Sequence, residues 1–297
     1  MTTYLIEAVN HDPQNVTALA HLAHSYMIQS ILGLIEPHAA LTASEAVVKR
    51  ARRINSTHIE VRNASAWLDL LYARDWQHAD REFGEILQSE SCNWRALAGK
   101  ALTAFACNRC EEAIPLLERI SAENILSSTA YFLHAYVLYA SGYISDALSV
   151  VYTAKSLGLG IYWHKTIEAL CLIQAGDLEQ VINQFSADFL NSESTDILRG
   201  AIGYAYTASG RQEEVLHEIN KFMSPEFTHQ PRHDFFAPAL IYLGLGKMQK
   251  TVECLEQSYR AGSFFSLGFH TLPILQQLRN TPEYMNLSSI LLYPSRS

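Results

Sequence analysis

The residues with the clearest chemical potential in this chain are its cysteines and histidines. Five cysteines are present, and Cys107 and Cys110 form a C-x-x-C pair. A structural zinc site needs a second pair of soft ligands at matching spacing, and none follows. The pair also sits where one helical pattern turns into the next, whereas a redox dithiol opens a helix after a strand. These cysteines therefore read as small apolar side chains. The other three, Cys92, Cys171 and Cys254, are irregularly spaced and do not make a disulfide framework. Among the 12 histidines, His21/His24 and His229/His233 have helical spacing. Two imidazoles without a completing carboxylate do not constitute a metal motif, and no H-E-x-x-H, P-loop, G-x-G-x-x-G or G-x-S-x-G is present. No nucleophile has a base placed beside it. The sequence thus predicts no catalytic residue, no metal and no cofactor, and no enzyme.

Composition narrows the remaining classes. Apolar residues make up 48% and charged residues 18% of 297 positions, enough for a large core. The net charge of −8 leaves no basic footprint for nucleic acid. The one basic cluster, Lys49, Arg50, Arg52 and Arg53, reads as a solvated helix face, with a phosphate-contacting patch as the alternative. The N-terminus lacks a charged region followed by an apolar run, and no stretch of 18 apolar residues occurs. A cytoplasmic protein without membrane or direct nucleic-acid contact is the expectation.

The elements that must position any site are set by an internal repeat. Gly142, Gly176, Gly210 and Gly246 are spaced 34, 34 and 36 apart. Ala101, Ala135, Ala169, Gly203 and Ala239 follow the same rhythm, all small. Phe83, Leu117, Val151, Phe185, Ile219 and Leu255 follow it, all large and apolar, as do Ala79, Ala113, Ala147, Val181, Val215 and Thr251. A small residue midway along one helix lets a neighbour approach, a large one fills the gap between hairpins, and a glycine accepts the left-handed backbone that ends a helix. Within each unit apolar residues recur at helical spacing, and no segment alternates like a strand. The sequence predicts an all-α stack of about seven helical pairs: 15–56, 57–90, 94–123, 127–157, 160–190, 194–224 and 232–262.

With its period of 34 and phrases such as GYAYTASGRQEEVLHEI (203–219) and HAYVLYASGYISDALSVVYTA (134–154), the chain resembles tetratricopeptide repeat proteins. The match is degenerate in the first two repeats, where the spacing slips to 35 and breaks at an insertion, ILGLIEPHAALTA (31–43). The resemblance implies a right-handed α-α superhelix forming a single domain over 1–297. Residues 3–14 would be a partial repeat or N-terminal cap helix, with Ala8 and Pro13 at late-repeat positions, as though the chain began in mid-repeat. Residues 15–262 would be the repeats and 263–297 a C-terminal cap, with 269–291 a terminal helix over the end of the stack. FFAPALIYLGLGKMQKTVECLEQSYRAG (235–262), LPILQQLRNTPEY (272–284) and ADREFGEIL (79–87) are similar to the C-terminal repeat regions of bacterial signalling proteins. Those include winged-helix transcription regulators of the HilA/ToxR type, adenylate cyclases and protein kinases.

The family's groove positions fall on the first helix of each pair. They carry over to Thr17, Ala20, His24 and Met27; Arg95, Ala98, Leu102 and Phe105; and Thr129, Phe132, Tyr136 and Tyr139. The later repeats add Trp163, Thr166, Leu170 and Ile173; Ile197, Gly200, Tyr204 and Thr207; and His233, Phe236, Leu240 and Leu243. Repeat two is left out because its register is ambiguous by one residue. The aromatic members, Phe105, Phe132, Tyr136, Tyr139, Trp163, Tyr204 and Phe236, with Arg95 and His24, imply a groove for a protein or peptide segment. The same aromatics could equally pack the inside of the stack. With Arg95 the one basic member, the resemblance does not extend to modules that clamp chaperone tails. The expected function is a non-enzymatic, regulatory protein-interaction module, with self-association as a homodimer, small-molecule sensing or scaffolding as alternatives.

Overall fold

The computed structural model describes residues 2–123, 126–159, 163–191, 194–224 and 234–291. Among them every regular element is helical. They divide into two compact units, the first ending at Ala122 and the second running from Glu123.

In the first unit, α1 (Thr2–His11) packs on α2 (Val16–Ile31), which pairs with α3 (Pro37–Asn55). Next come α4 (Ile59–Leu68), which ends in a π-helical turn over Asp69–Ala73, and α5 (Trp76–Ser89). The pair α6 (Trp94–Ala106) and α7 (Cys110–Glu123) completes it. The second unit contains α8 (Ser128–Ala140) with α9 (Ile144–Ser156), and α10 (Trp163–Ala175) with α11 (Leu178–Leu190). Then come α12 (Asp196–Ala208) with α13 (Leu216–Phe222), α14 (Phe236–Gly244) with α15 (Met248–Ala261), and α16 (Pro282–Ile290). The hairpins expected from the period of 34 are thus present, and in each unit the first helix of one pair packs on the first helix of the next.

Local sequence sets these boundaries. Asn15, Asn93, Ser127 and Thr195 each accept a hydrogen bond from the third backbone N–H ahead, capping α2, α6, α8 and α12. The hairpin turns need one left-handed residue each. Gly142, Gly176, Gly210 and Gly246 supply it at φ of 68° to 86°. The same 34-residue rhythm runs backwards to Asn108 (φ 58°) and Arg74 (φ 59°), so every turn from repeat two onward keeps the geometry.

The small and large series do what their sizes suggest. Ala101, Ala135, Ala169 and Ala239 are fully buried, and a Cβ on Gly203 would meet Ile241 at 2.7 Å. Phe83, Leu117, Val151 and Leu255 are fully buried on the second helices. Val215 departs from its series: it lies in a 3-10 turn, Gln212–Val215, and is only half-buried.

Residues 269–291, which the sequence presents as one terminal helix, divide. Phe264–Gly268 and Pro273–Leu278 are 3-10 turns, and only Pro282–Ile290 is α-helical, packed on α15. Pro273 and Pro282 account for the breaks, since each starts a helix and cannot continue one. No helix among the described residues is long and apolar enough to cross a membrane.

Candidate functional site: the face of the first helices

In the first unit, the positions transferred from repeats one and three flank residues of repeat two. His24 on α2 is 6% exposed and meets the Trp67 ring of α4 edge-on at 6.2 Å. Burial, helped by the nearby Arg95 guanidinium, pushes His24 down to about 3, so it is neutral at physiological pH. His21 Nε2 lies 3.4 Å from Glu60 Oε2, and this contact, with Arg95 at 3.9 Å, holds the Glu60 carboxyl below its usual range. The Arg95 guanidinium also stands 4.9 Å over the Trp94 ring, and the Arg95 carbonyl accepts from Trp67 Nε1 at 3.1 Å. Arg95 is therefore compensated by a carboxylate, not a free cation. Phe105, Met27 and Leu102 are buried.

Glu60 and Trp67, absent from the sequence-derived positions, belong to this cluster. They lie 35 residues before Arg95 and Leu102, which is the slipped register that made repeat two ambiguous.

In the second unit the aromatic positions converge, and the chain itself covers them. Phe132, Tyr136, Tyr139, Trp163 and Phe236 are each 4% exposed or less. Their neighbours come from the segment after α15. Phe264 stands 5.7 Å from Phe132 and 4.8 Å from Tyr136. Phe265 meets Tyr136 edge-on at 5.3 Å and stacks on Phe236 at 5.3 Å, and Phe269 lies 5.4 Å from Phe236. The Tyr136 hydroxyl donates to the Phe265 carbonyl at 3.1 Å. Burial raises the Tyr139 phenol, whose polar neighbour is the Ile274 backbone. Tyr204 is half-buried, and burial raises its phenol while Gln277 hydrogen-bonds it. Trp163 packs edge-on against Phe132 at 5.6 Å and donates to Ser128 Oγ at 2.7 Å. His233 and the His229/His233 pair lie outside the described residues.

Asp234 anchors the start of the covering segment. Its carboxylate accepts from Ser258 Oγ at 3.0 Å and Ser263 Oγ at 2.6 Å. At the far end, Tyr284 of α16 donates to the Phe269 carbonyl at 2.9 Å, and Arg279 donates to the Leu272 carbonyl at 3.0 Å. Segment 263–278 thus lies along the first helices of the second unit, tied at both ends. The sequence reading missed Phe264, Phe265, Phe269 and Asp234. The run FFSLGF, with its glycine and the following Pro273, was the available signal that this stretch is neither repeat nor continuous helix.

Cys107 ends α6 and Cys110 begins α7; burial raises the Cys107 thiol, so its thiolate is disfavoured.

No protein-family model matches the chain. No curated protein matches it either. Among solved structures, it is similar to a tetratricopeptide repeat protein from Parabacteroides merdae ATCC 43184, determined at 2.39 Å resolution. That match has 12% identity and a TM-score of 0.51, and covers 88% of this chain and 98% of the other. At this identity the likeness is one of fold, and the chain has an all-α, tetratricopeptide-like arrangement of helical hairpins.

Proposed function

We propose that the chain is a non-catalytic protein-interaction module whose first-helix face in the second unit receives an aromatic peptide segment. The observation that carries this reading is segment 263–278. It is not α-helical, yet it is laid on Phe132, Tyr136 and Phe236 by three phenylalanines and one hydrogen bond to its own main chain. Ring-on-ring contact combined with a hydrogen bond to the peptide main chain is how folded grooves hold peptide segments. In this reading the segment is a resident occupant, and a partner carrying a similar aromatic run competes with it. The similarity of 235–284 to repeat regions of bacterial signalling proteins supports a regulatory role for that competition in a cytoplasmic regulator.

The test uses the full chain and a fluorescein-labelled peptide of residues 262–279. Wild type is expected to give little anisotropy change, because its own segment occupies the face. Phe264→Ala/Phe265→Ala, which weakens that occupant, is expected to bind the peptide at least ten-fold more tightly. A variant that loses its helical circular dichroism, or keeps it and binds no peptide, would make the face a core rather than a receptor and refute the reading.

A further inference from the structure

A cavity of about 660 Å³ opens in the first unit between α3 and the α4–π-turn wall. Its volume is that of a site for a small organic molecule. Leu41 and Val48 on α3, with Leu68 on α4, give it an apolar wall. Lys49, Arg52 and Arg53 from the same α3 face give it a cationic one. These are three of the four residues of the single basic cluster in an otherwise acidic chain. The fourth, Arg50, turns elsewhere and donates to the Pro13 carbonyl.

The cations are arranged for a ligand more than for the fold. Arg52 Nε donates to Ser65 Oγ across the cavity at 2.9 Å, which fixes the guanidinium and leaves its terminal N–H groups. Lys49 and Arg53 are one helical turn apart, exposed, and have no ion-pair partner among the described residues. Like charges one turn apart on a helix repel, and an anion between Lys49 and Arg53 would relieve that repulsion. Two carboxylates also line the cavity. Asp69 is engaged by His78 Nδ1 at 2.9 Å, and Glu45 is the lining carboxylate without an ion-pair partner among the described residues. Three cations against two carboxylates leave a surplus of about one positive charge, which suits a monoanion better than a dianion. The opposite wall is the π-helical turn, a deviation from α geometry that occurs most often where a helix shapes a site.

We infer that this cavity binds a small amphiphilic carboxylate, its apolar body against Leu41, Val48 and Leu68 and its carboxylate between Lys49, Arg52 and Arg53. The site is built by α3, α4 and the π-helical turn of the first unit, whereas the face covered by segment 263–278 belongs to the second. It would give the protein a metabolite-sized input in addition to its peptide site.

Isothermal titration of the full chain with octanoate tests this, with 1-octanol and inorganic phosphate as probes of each half of the chemistry. Octanoate is expected to bind saturably at one site. Octanol and phosphate are each expected to bind at least ten-fold more weakly. Lys49→Gln/Arg53→Gln, both at exposed positions that leave the fold intact, is expected to weaken octanoate at least ten-fold. No octanoate binding, binding indifferent to the double variant, or octanol binding as tightly as octanoate would overturn the inference. Equal binding of phosphate would also overturn it, reducing the site to a charged helix face.

Discussion

The hydroxyl of Tyr136 offers the cleanest perturbation of the covered face. It joins α8 to a main-chain carbonyl 129 residues away, at Phe265, in a fully buried setting. Tyr136→Phe keeps the rings of Phe264 and Phe265 against an aromatic ring and deletes this bond. A buried hydrogen bond contributes about 1 kcal/mol net, and stranding its acceptor costs about 1–3 kcal/mol. The Phe265 carbonyl keeps its place in the 3-10 turn Phe264–Gly268 and is not stranded, so a loss of about 1 kcal/mol in the docking of segment 263–278 is expected. That corresponds to about a 5-fold rise in the population of the undocked segment. Hydrogen exchange read by mass spectrometry on the full chain should show it as faster exchange confined to 263–278. The amides of α9 and α11 should be unchanged, because they hydrogen-bond within their own helices. Unchanged protection in 263–278 would refute the reasoning, and so would uniform loss of protection from α8 to α12, which would make the segment inseparable from the fold.

Three further outcomes follow from the same geometry. Gly142 has φ of 86° and open space around its missing Cβ, so Gly142→Ala should cost about 1 kcal/mol from backbone strain alone, whereas Arg74→Gly should relieve a similar strain and raise the urea midpoint. Gly200 faces a different constraint: a Cβ there would lie 2.7 Å from the Ala237 backbone, so Gly200→Ala should force α12 and α14 apart, cost about 1–3 kcal/mol in urea unfolding, and show as altered near-ultraviolet dichroism. His24 has a folded value of about 3 against an ordinary 6.5, so the unfolded chain takes up the extra proton between those values, and stability present above pH 6.5 is lost as pH falls toward 3. Between pH 6.5 and 5 wild type should lose about 2 kcal/mol more than His24→Gln, measured by urea midpoints at both values.

The repeat was legible because it is local and periodic. Small, large and glycine positions recur at one interval, and each alone dictates a helix contact or a hairpin turn. Asn108 and Arg74 escaped that reading because the left-handed position was sought as glycine, although the interval of 34 reaches both. Glu60 and Trp67 escaped for a related reason, since repeat two carries the one-residue slip and the polar cluster around His24 needed the fold to fix its register. The covering segment was least legible. Its contacts with α8 join residues more than 100 positions apart, its contacts follow no period, and they involve a stretch whose Gly268 and Pro273 announce only that it is not a repeat. First-helix aromatics such as Tyr136 and Phe236 look alike in sequence whether they await a partner or already hold part of their own chain.

The most direct test of the account places a photo-reactive benzophenone side chain at Tyr204, the half-buried member of the face, beside Gln277. Irradiation of the full chain alone should cross-link position 204 to residues 273–279. Irradiation with excess isotope-labelled peptide 262–279 should transfer part of that cross-link to the peptide. Cross-links to neighbouring helices only, or an intrachain cross-link that the peptide leaves unchanged, would contradict the claim that this face is a receptor for an exchangeable segment.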